Sequence, residues 1–120
     1  MSSTIPPNGF KRGDVVWVNL GKRRPAVVVS ADIINTIGEI VIIVPLTSKK
    51  PGWASRPHEV MIPRSVENGL EVDSFAQPQL VTYISLSGGG IGPRIGNLEP
   101  VALGAITNQL MLTLGHIPSA

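Results

Sequence analysis

The feature that most restricts the fold is a basic turn that runs directly into a short apolar segment. Lys22, Arg23 and Arg24 precede Pro25, and 26–30 is Ala-Val-Val-Val-Ser. A Val run of this length predicts a strand buried on both faces. Because proline cannot donate to a sheet ladder and keeps the preceding residue extended, we expect Pro25 at the first position of this strand, directly after Arg24. The cations either solubilise the end of the strand, or Arg24 is a binding or catalytic group held by a rigid element.

The rest of the chain has the turn pattern of a β-rich protein. Its 13 Gly and 11 Pro residues fall mostly between short apolar runs. Strands are predicted at 15–20, 26–30, 39–45, 58–62, 74–76 and 80–84. The first two are close enough to form an antiparallel hairpin. Apolar residues at helical spacing between Leu103 and Leu114, after Pro100, predict one C-terminal helix that ends near Gly115. The fold class is therefore mainly β: a small, twisted antiparallel sheet or barrel with one late α-helix.

Composition limits the class of protein. We expect a single domain over residues 1–120, with a loose N-terminal tail at 1–9. The chain has no Cys, which excludes disulfides, Cys-ligated zinc and thiol catalysis. No apolar signal core begins the sequence, and no apolar run approaches the ~20 residues of a membrane span. These features predict a soluble cytoplasmic protein that makes no membrane contact.

The charge distribution suggests an anionic partner. Lys and Arg number 10 against 8 Asp and Glu, and every basic residue except Arg94 falls within the first 64 residues. The basic half can face a polyanion. With a net charge of only +2, we expect a short phosphate contact rather than a long nucleic-acid track.

Several kinds of chemistry are excluded by the residues present. The two His residues, His58 and His116, are far apart in sequence, and the carboxylates show no ligand spacing, so we expect no metal and no cofactor. The Gly-rich segment 87–92 lacks the Gly-Lys-Ser/Thr ending of a phosphate loop. No nucleophile-elbow pattern is present.

Arginine and a hydroxyl remain as the candidate chemistry. Thr47 lies just past the predicted strand 39–45, and Arg24 lies at the beginning of another. If these strands are adjacent and antiparallel, the two residues meet at one edge of the sheet. Such a pair suits phosphoryl chemistry on RNA, where the 2′-hydroxyl is the nucleophile and the protein positions it and neutralises the phosphorane. Thr47 is otherwise a plain turn residue at a strand end.

The segment 47–57 has loop composition, and we expect it to be mobile. It carries Lys49, Lys50 and Arg56 around Trp53. Trp53 is either an aromatic at the edge of the core or a platform on which an RNA base stacks.

Five short motifs, in this order, together resemble the MazF/PemK family of toxin endoribonucleases: Phe10–Val16, Arg24–Val29, Val44–Ser48, His58–Val60 and Ile95–Leu98. The resemblance spans almost the whole chain. It implies an SH3-like barrel with a C-terminal helix that acts as a homodimer. It also implies a sequence-selective mRNA interferase that cleaves single-stranded mRNA without metal through a 2′,3′-cyclic phosphate. A cognate antitoxin protein is expected to block the site.

Carried onto this chain, the family motifs imply that Arg24 and Thr47 are catalytic. The expected RNA-binding residues are Arg23, Ser48, Lys49, Lys50, Trp53, Arg56 and Gln79. The turn 21–23 is shorter than the family's usual long loop. The Asp and Arg that some members carry near 76–81 are missing here, although Gln79 matches a Gln that the family keeps there.

The general base is left open by the sequence, because a guanidinium holds its proton far above neutral pH. A substrate-bound water, Asp73, Glu39 or a partner subunit would supply it, or the protein cleaves slowly or not at all. The alternative function is a non-catalytic barrel of the same class that binds RNA or a protein, including a gyrase-inhibitor-type toxin. That relative depends on a C-terminal Trp, whereas 116–120 is His-Ile-Pro-Ser-Ala.

Overall fold

The chain folds around one antiparallel sheet. A computed structural model describes residues 9–50 and 56–116. The strands are β1 Asp14–Asn19, β2 Arg23–Val28, β3 Ile40–Ser48, β4 Val60–Ile62, β5 Ser74–Ala76, β6 Thr82–Ser85 and β7 Ile91–Asn97. The helices are α1 Asp32–Ile37, a 3₁₀ turn Pro78–Leu80, and α2 Pro100–Thr113. No helix in these described ranges is both long and apolar enough to cross a membrane.

The long strand β3 organises the sheet. The strands follow the order β4-β5-β3-β2-β1-β7, and β6 pairs with the first half of β3. Along its length β3 pairs with β2 from Ile43 to Pro45 and with β5 from Leu46 to Ser48, always antiparallel. Across the part of the chain that the structure describes, no ladder joins β4 to β7, so the barrel is not closed. The predicted mainly β class with a C-terminal helix is confirmed.

Apolar side chains are buried on both faces of the central strands. One cluster contains Val15, Val27 and Leu46 and is covered by Ile106 of α2. The other contains the next residues along the same strands, such as Val16 and Val28, with Phe10 and Ile84. Since each fully buried Val, Leu or Ile side chain contributes about 1.5–3 kcal/mol, these two clusters hold the sheet rigid around its polar ends. The prediction that the Val run is buried on both faces is confirmed.

Two strand boundaries differ from the predictions. Strand β2 begins at Arg23, so Pro25 is its third residue and lies opposite Trp17. The ladder between β2 and β3 begins at Ala26, so Pro25 lies outside it. The missing N–H of Pro25 therefore removes no hydrogen bond to β3. Thr47 was expected just past its strand, which was wrong. It lies within β3 because β3 continues beyond its ladder with β2 and pairs with β5 on its other side, where Thr47 pairs with Phe75.

Two elements were not predicted. Helix α1 has only 6 residues, too few to show a helical period, and it ends at Gly38, which adopts a left-handed φ of 81°. Strand β7 does not alternate, because Gly92, Pro93 and Gly96 interrupt its pattern. It nevertheless forms an edge of the sheet beside β1, with irregular register.

Candidate functional site

A cavity of about 300 Å³ lies where β2 begins and β3 ends, and Arg24 and Thr47 both line it. The register explains why these two residues meet. The β2–β3 ladder has its last pair at Ala26 and Pro45, and Arg24 and Thr47 each lie two residues beyond that pair at the same end of the ladder. Antiparallel pairing thus brings the start of one strand beside the end of the next, as the sequence argument required.

The cavity is rich in cations, with Lys22, Arg23 and Lys50 lining it beside Arg24. Arg24 is half-buried, and its Nε is buried without a hydrogen-bond partner among the described residues. A buried donor left unpaired costs about 1–3 kcal/mol. Thr47 is also half-buried, and within the described ranges its hydroxyl makes no hydrogen bond. The pair therefore offers unused donors to an anionic ligand.

Trp17 gives the cavity an aromatic wall that sequence reasoning missed. The Arg23 guanidinium carbon lies 4.6 Å from the centroid of the Trp17 ring, in cation–π geometry. Trp17 is half-exposed and lies opposite Pro25 in the hairpin. The hairpin register could have shown this position, since it places Trp17 beside the residue that follows Arg24.

The opposite wall is a loop that is packed closely against β7. A Cβ added at Gly69 would lie 2.0 Å from the carbonyl oxygen of Ile95, and Gly69 has a left-handed φ of 69°. A Cβ added at Gly96 would lie 2.5 Å from the carbonyl carbon of Asn68. Only glycine fits such a close approach of two backbones. This crossing holds the following residues, Leu70 to Val72, at the cavity.

The same segment is held at its other end by the sheet. The Lys49 N–H donates to the carbonyl oxygen of Asp73 at 2.8 Å, and Ser74 pairs with Ser48. The Asp73 carboxylate accepts the Arg64 N–H at 2.9 Å. Between these two attachments, Glu71 lines the cavity and is the only Asp or Glu among its described lining residues.

The structure brings together some of the residues predicted to bind RNA. Arg23, Ser48 and Lys50 line the cavity with Arg24 and Thr47. Lys49 follows β3 but is not part of the described lining. Trp53 lies outside the described residues. Of the two candidate bases, neither Asp73 nor Glu39 lines the cavity, and Glu39 precedes β3 at the end opposite Thr47.

Arg56 and Gln79 lie elsewhere, around the buried carboxylate of Glu59. Its Oε2 accepts hydrogen bonds from Nε2 of Gln77 and of Gln79, both at 2.9 Å. Its Oε1 lies 3.7 Å from Nη1 of Arg56, and the Glu59 side chain is 0% exposed. Burial raises the pKa of Glu59, but the two amide hydrogen bonds and the charges of Arg56 and His58 together lower that pKa below its ordinary value.

Metal ligands are not clustered in the part of the chain that the structure describes. Residues 9–50 and 56–116 contain no group of three or more His, Cys, Asp or Glu side chains placed to hold an ion.

The fold is similar to solved toxin structures. A mycobacterial endoribonuclease in complex with its cognate antitoxin matches with a TM-score of 0.74 and 22% identity, over 93% of this chain and 99% of that one. MazE-MazF from Deinococcus radiodurans matches with a TM-score of 0.73 and 23% identity, over 91% and 98%. The Mycobacterium tuberculosis toxin MazF-mt6 matches with a TM-score of 0.71 and 20% identity, over 88% and 99%. At these identities the matches show the fold.

The sequence itself carries the family assignment. The model of the PemK-like, MazF-like toxins of type II toxin-antitoxin systems matches residues 11–114, which is most of the chain. The predicted family is confirmed: the chain belongs to the PemK-like, MazF-like toxins of type II toxin-antitoxin systems.

Proposed function

We propose that this toxin is a metal-independent, sequence-selective endoribonuclease that cleaves single-stranded mRNA, with Arg24 and Thr47 as its catalytic residues. One observation carries the proposal: Arg24 and Thr47 line one cationic cavity, and neither the buried Nε of Arg24 nor the hydroxyl of Thr47 has a hydrogen-bond partner among the described residues. A phosphodiester supplies acceptor oxygens to the Arg24 guanidinium and negative charge to the cations around it, which a neutral or apolar ligand would not.

The reaction uses the nucleophile of the RNA itself. The 2′-oxygen attacks the adjacent phosphorus, the bond from phosphorus to the 5′-oxygen breaks, and the products carry a 2′,3′-cyclic phosphate and a 5′-hydroxyl. Arg24 donates to the non-bridging oxygens as charge builds on them, and Thr47 Oγ1 donates to a phosphate oxygen. Lys22, Arg23 and Lys50 bind flanking phosphates, and Trp17 provides a face on which a base stacks.

Two protein partners are proposed, an antitoxin and a second copy of the chain. The mycobacterial and Deinococcus structures contain antitoxins, and we propose that a cognate antitoxin covers the cavity of this chain. We further propose a homodimer, for which exposed apolar side chains such as Val101, 86% exposed on α2, are available. Residues 1–120 are proposed to form one domain, since a single sheet takes strands from Asp14 to Asn97. A protein that cleaves mRNA is expected in the cytoplasm.

The test is cleavage of a long single-stranded RNA in EDTA, with the new ends mapped and the cyclic phosphate identified. Wild type is expected to cut at a small set of sequences. Arg24→Ala should cut about 10²–10³-fold more slowly, as for loss of a charge-stabilising donor.

Arg64→Ala is the matched control, because Arg64 is exposed and does not line the cavity. Equal cleavage by the Arg24 variant and wild type would remove Arg24 from the mechanism. A stable RNA or protein complex without new ends would favour the non-catalytic alternative.

A further inference from the structure

Glu71 is a carboxylate in a cavity otherwise lined by cations and neutral groups. The charged residues beside it are Lys22, Arg23, Arg24 and Lys50. A site that only held phosphate would be expected to keep an anion away, because the like charge weakens binding of RNA. The presence of Glu71 therefore needs a reason other than affinity.

The backbone on both sides of Glu71 is held by close contacts. The close crossing of Gly69 over Ile95 sets the segment before Glu71, and the pairing of Ser74 with Ser48 sets the segment after it. Asn68 stabilises the same loop, since its Oδ1 accepts the N–H groups of Ser65 and Leu70, both at 3.0 Å. The Glu71 side chain itself is exposed, and these attachments hold the backbone on either side of it.

The other titratable groups are unsuited to accept a proton here. Arginine and lysine side chains are protonated at neutral pH. The carboxylates of Asp73 and Glu59 do not line the cavity; the first accepts the Arg64 N–H, and Oε2 of the second accepts the amides of Gln77 and Gln79. Within the described lining of the cavity there is no histidine.

We propose, on the basis of the endoribonuclease function proposed above, that Glu71 is the general base. Its carboxylate takes the proton of the 2′-hydroxyl as the bond from the 2′-oxygen to phosphorus forms. The bond from phosphorus to the 5′-oxygen breaks, and the 5′-oxygen takes a proton from water. Glu71 then returns its proton to solvent, which restores the carboxylate. Arg24 neutralises the phosphorane, so the two roles are divided between a cation and an anion that line the same cavity.

The experiment separates proton transfer from binding. Single-turnover cleavage of a short RNA is measured for wild type, Glu71→Gln and Glu71→Asp, and binding is measured with the same RNA carrying 2′-deoxyribose at the cleaved position. Glu71→Gln should cleave about 10²-fold more slowly, a typical contribution of general base catalysis. It should bind the deoxy-substituted RNA as tightly as wild type or more tightly, because a negative charge is lost. The rise of the wild-type rate with pH on the acid side should be absent in Glu71→Gln, and Glu71→Asp should recover part of the rate.

Glu67→Gln is the matched control, because Glu67 lies exposed in the same loop and does not line the cavity. It should leave the rate and its pH dependence unchanged. Glu71 is not the base if Glu71→Gln cleaves as fast as wild type, or if its affinity for the RNA falls by the same factor as its cleavage rate. In either case cleavage by wild type leaves the endoribonuclease proposal standing. If wild type itself produces no new ends, both proposals are wrong.

Discussion

The short strand β5 has a polar cluster at each end, and the two clusters differ in how far their charged side chains find hydrogen-bond partners within the chain. Ser74, at its start, lines the cationic cavity, where the Nε of Arg24 is buried and has no partner within the described residues. Gln77 follows its other end and donates to the buried carboxylate of Glu59, whose Oε2 accepts two amide donors. The other oxygen, Oε1, has no hydrogen bond within the described residues, but the guanidinium of Arg56 lies 3.7 Å from it. A buried charge that has its partners within the chain stabilises the fold, whereas one without them is available to a ligand.

The largest expected contrast is between Glu59→Ala and Arg24→Ala. Glu59→Ala leaves the amides of Gln77 and Gln79 without their acceptor, so the free energy of unfolding should fall by about 1–3 kcal/mol. Arg24→Ala removes a buried donor that has no partner among the described residues, so stability should not fall and should rise by up to about 1–3 kcal/mol. Urea unfolding of both variants measures this difference, and RNA cleavage per folded molecule should show the reverse order.

Glu67→Ala is the control for this pair, because it removes an exposed carboxylate. The comparison would be wrong if Arg24→Ala were the less stable variant, or if Glu59→Ala lost cleavage at a temperature where it is fully folded.

The side of the cavity that carries Arg24 and Thr47 could be predicted from the sequence. Arg24 and Thr47 each lie at a strand end that local pattern marks, and antiparallel pairing of neighbouring strands brings such ends together. The two-faced burial of the Val run follows from composition alone. The motifs that match the family also gave the fold class and the C-terminal helix.

The other wall of the cavity could not be derived in this way. Glu71 is placed by the approach of Gly69 to Ile95, a contact between segments that no local periodicity connects. The strand that makes this contact, β7, is interrupted by Gly and Pro and does not alternate. Arg56 and Gln79 were grouped with the RNA site through composition and the family match, while the structure places them at Glu59 because β4 and β5 pair there.

A smaller effect is expected when the hydroxyl of Thr47 is removed. Thr47→Val keeps the shape of the side chain but loses a neutral hydrogen-bond donor, which is worth about 0.5–1.5 kcal/mol, or roughly 2- to 13-fold in cleavage rate. Thr47→Ser keeps the hydroxyl and should retain most of the rate. Single-turnover cleavage measures both, with Thr82→Val on β6 as the control, since Thr82 is also half-buried in a strand but does not line the cavity. If Thr47→Val were as fast as wild type, the hydroxyl would have no part in the reaction.

Lowering the pH should gradually reduce the stability that the Glu59 carboxylate contributes. The pKa of Glu59 is lowered in the folded protein from an ordinary value of 4.5, so between these two values the unfolded chain binds more protons than the folded one. The stability that Glu59 contributes is therefore present above the unfolded pKa and is lost as pH falls through the folded pKa. Urea unfolding from neutral to acid pH should show a shallower loss in Glu59→Gln than in wild type.

Part of that acid dependence should persist in Glu59→Gln. Burial raises the pKa of Glu99, but its own backbone N–H and the side chains of Ser65 and Asn68 donate to it and lower that pKa overall. Identical curves for wild type and Glu59→Gln would show that the Glu59 carboxylate is not held by its partners as the structure indicates.

The smallest effect concerns Arg23, which is exposed at the edge of the cavity and packs over Trp17. An exposed cation–π contact is worth about 0.5–1 kcal/mol, so Arg23→Ala should lower stability only by that amount.

If Arg23 also neutralises one phosphate of bound RNA, Arg23→Ala should change the salt dependence of binding. The slope of the logarithm of the binding constant against the logarithm of the salt concentration should become about 0.7 less steep for a single strand. Fluorescence anisotropy of an RNA that carries 2′-deoxyribose at the cleaved position measures the slope. Lys11→Ala removes an exposed cation outside the cavity lining and should leave it unchanged. Equal slopes for Arg23→Ala and Lys11→Ala would confine the RNA contact to the deeper residues of the cavity.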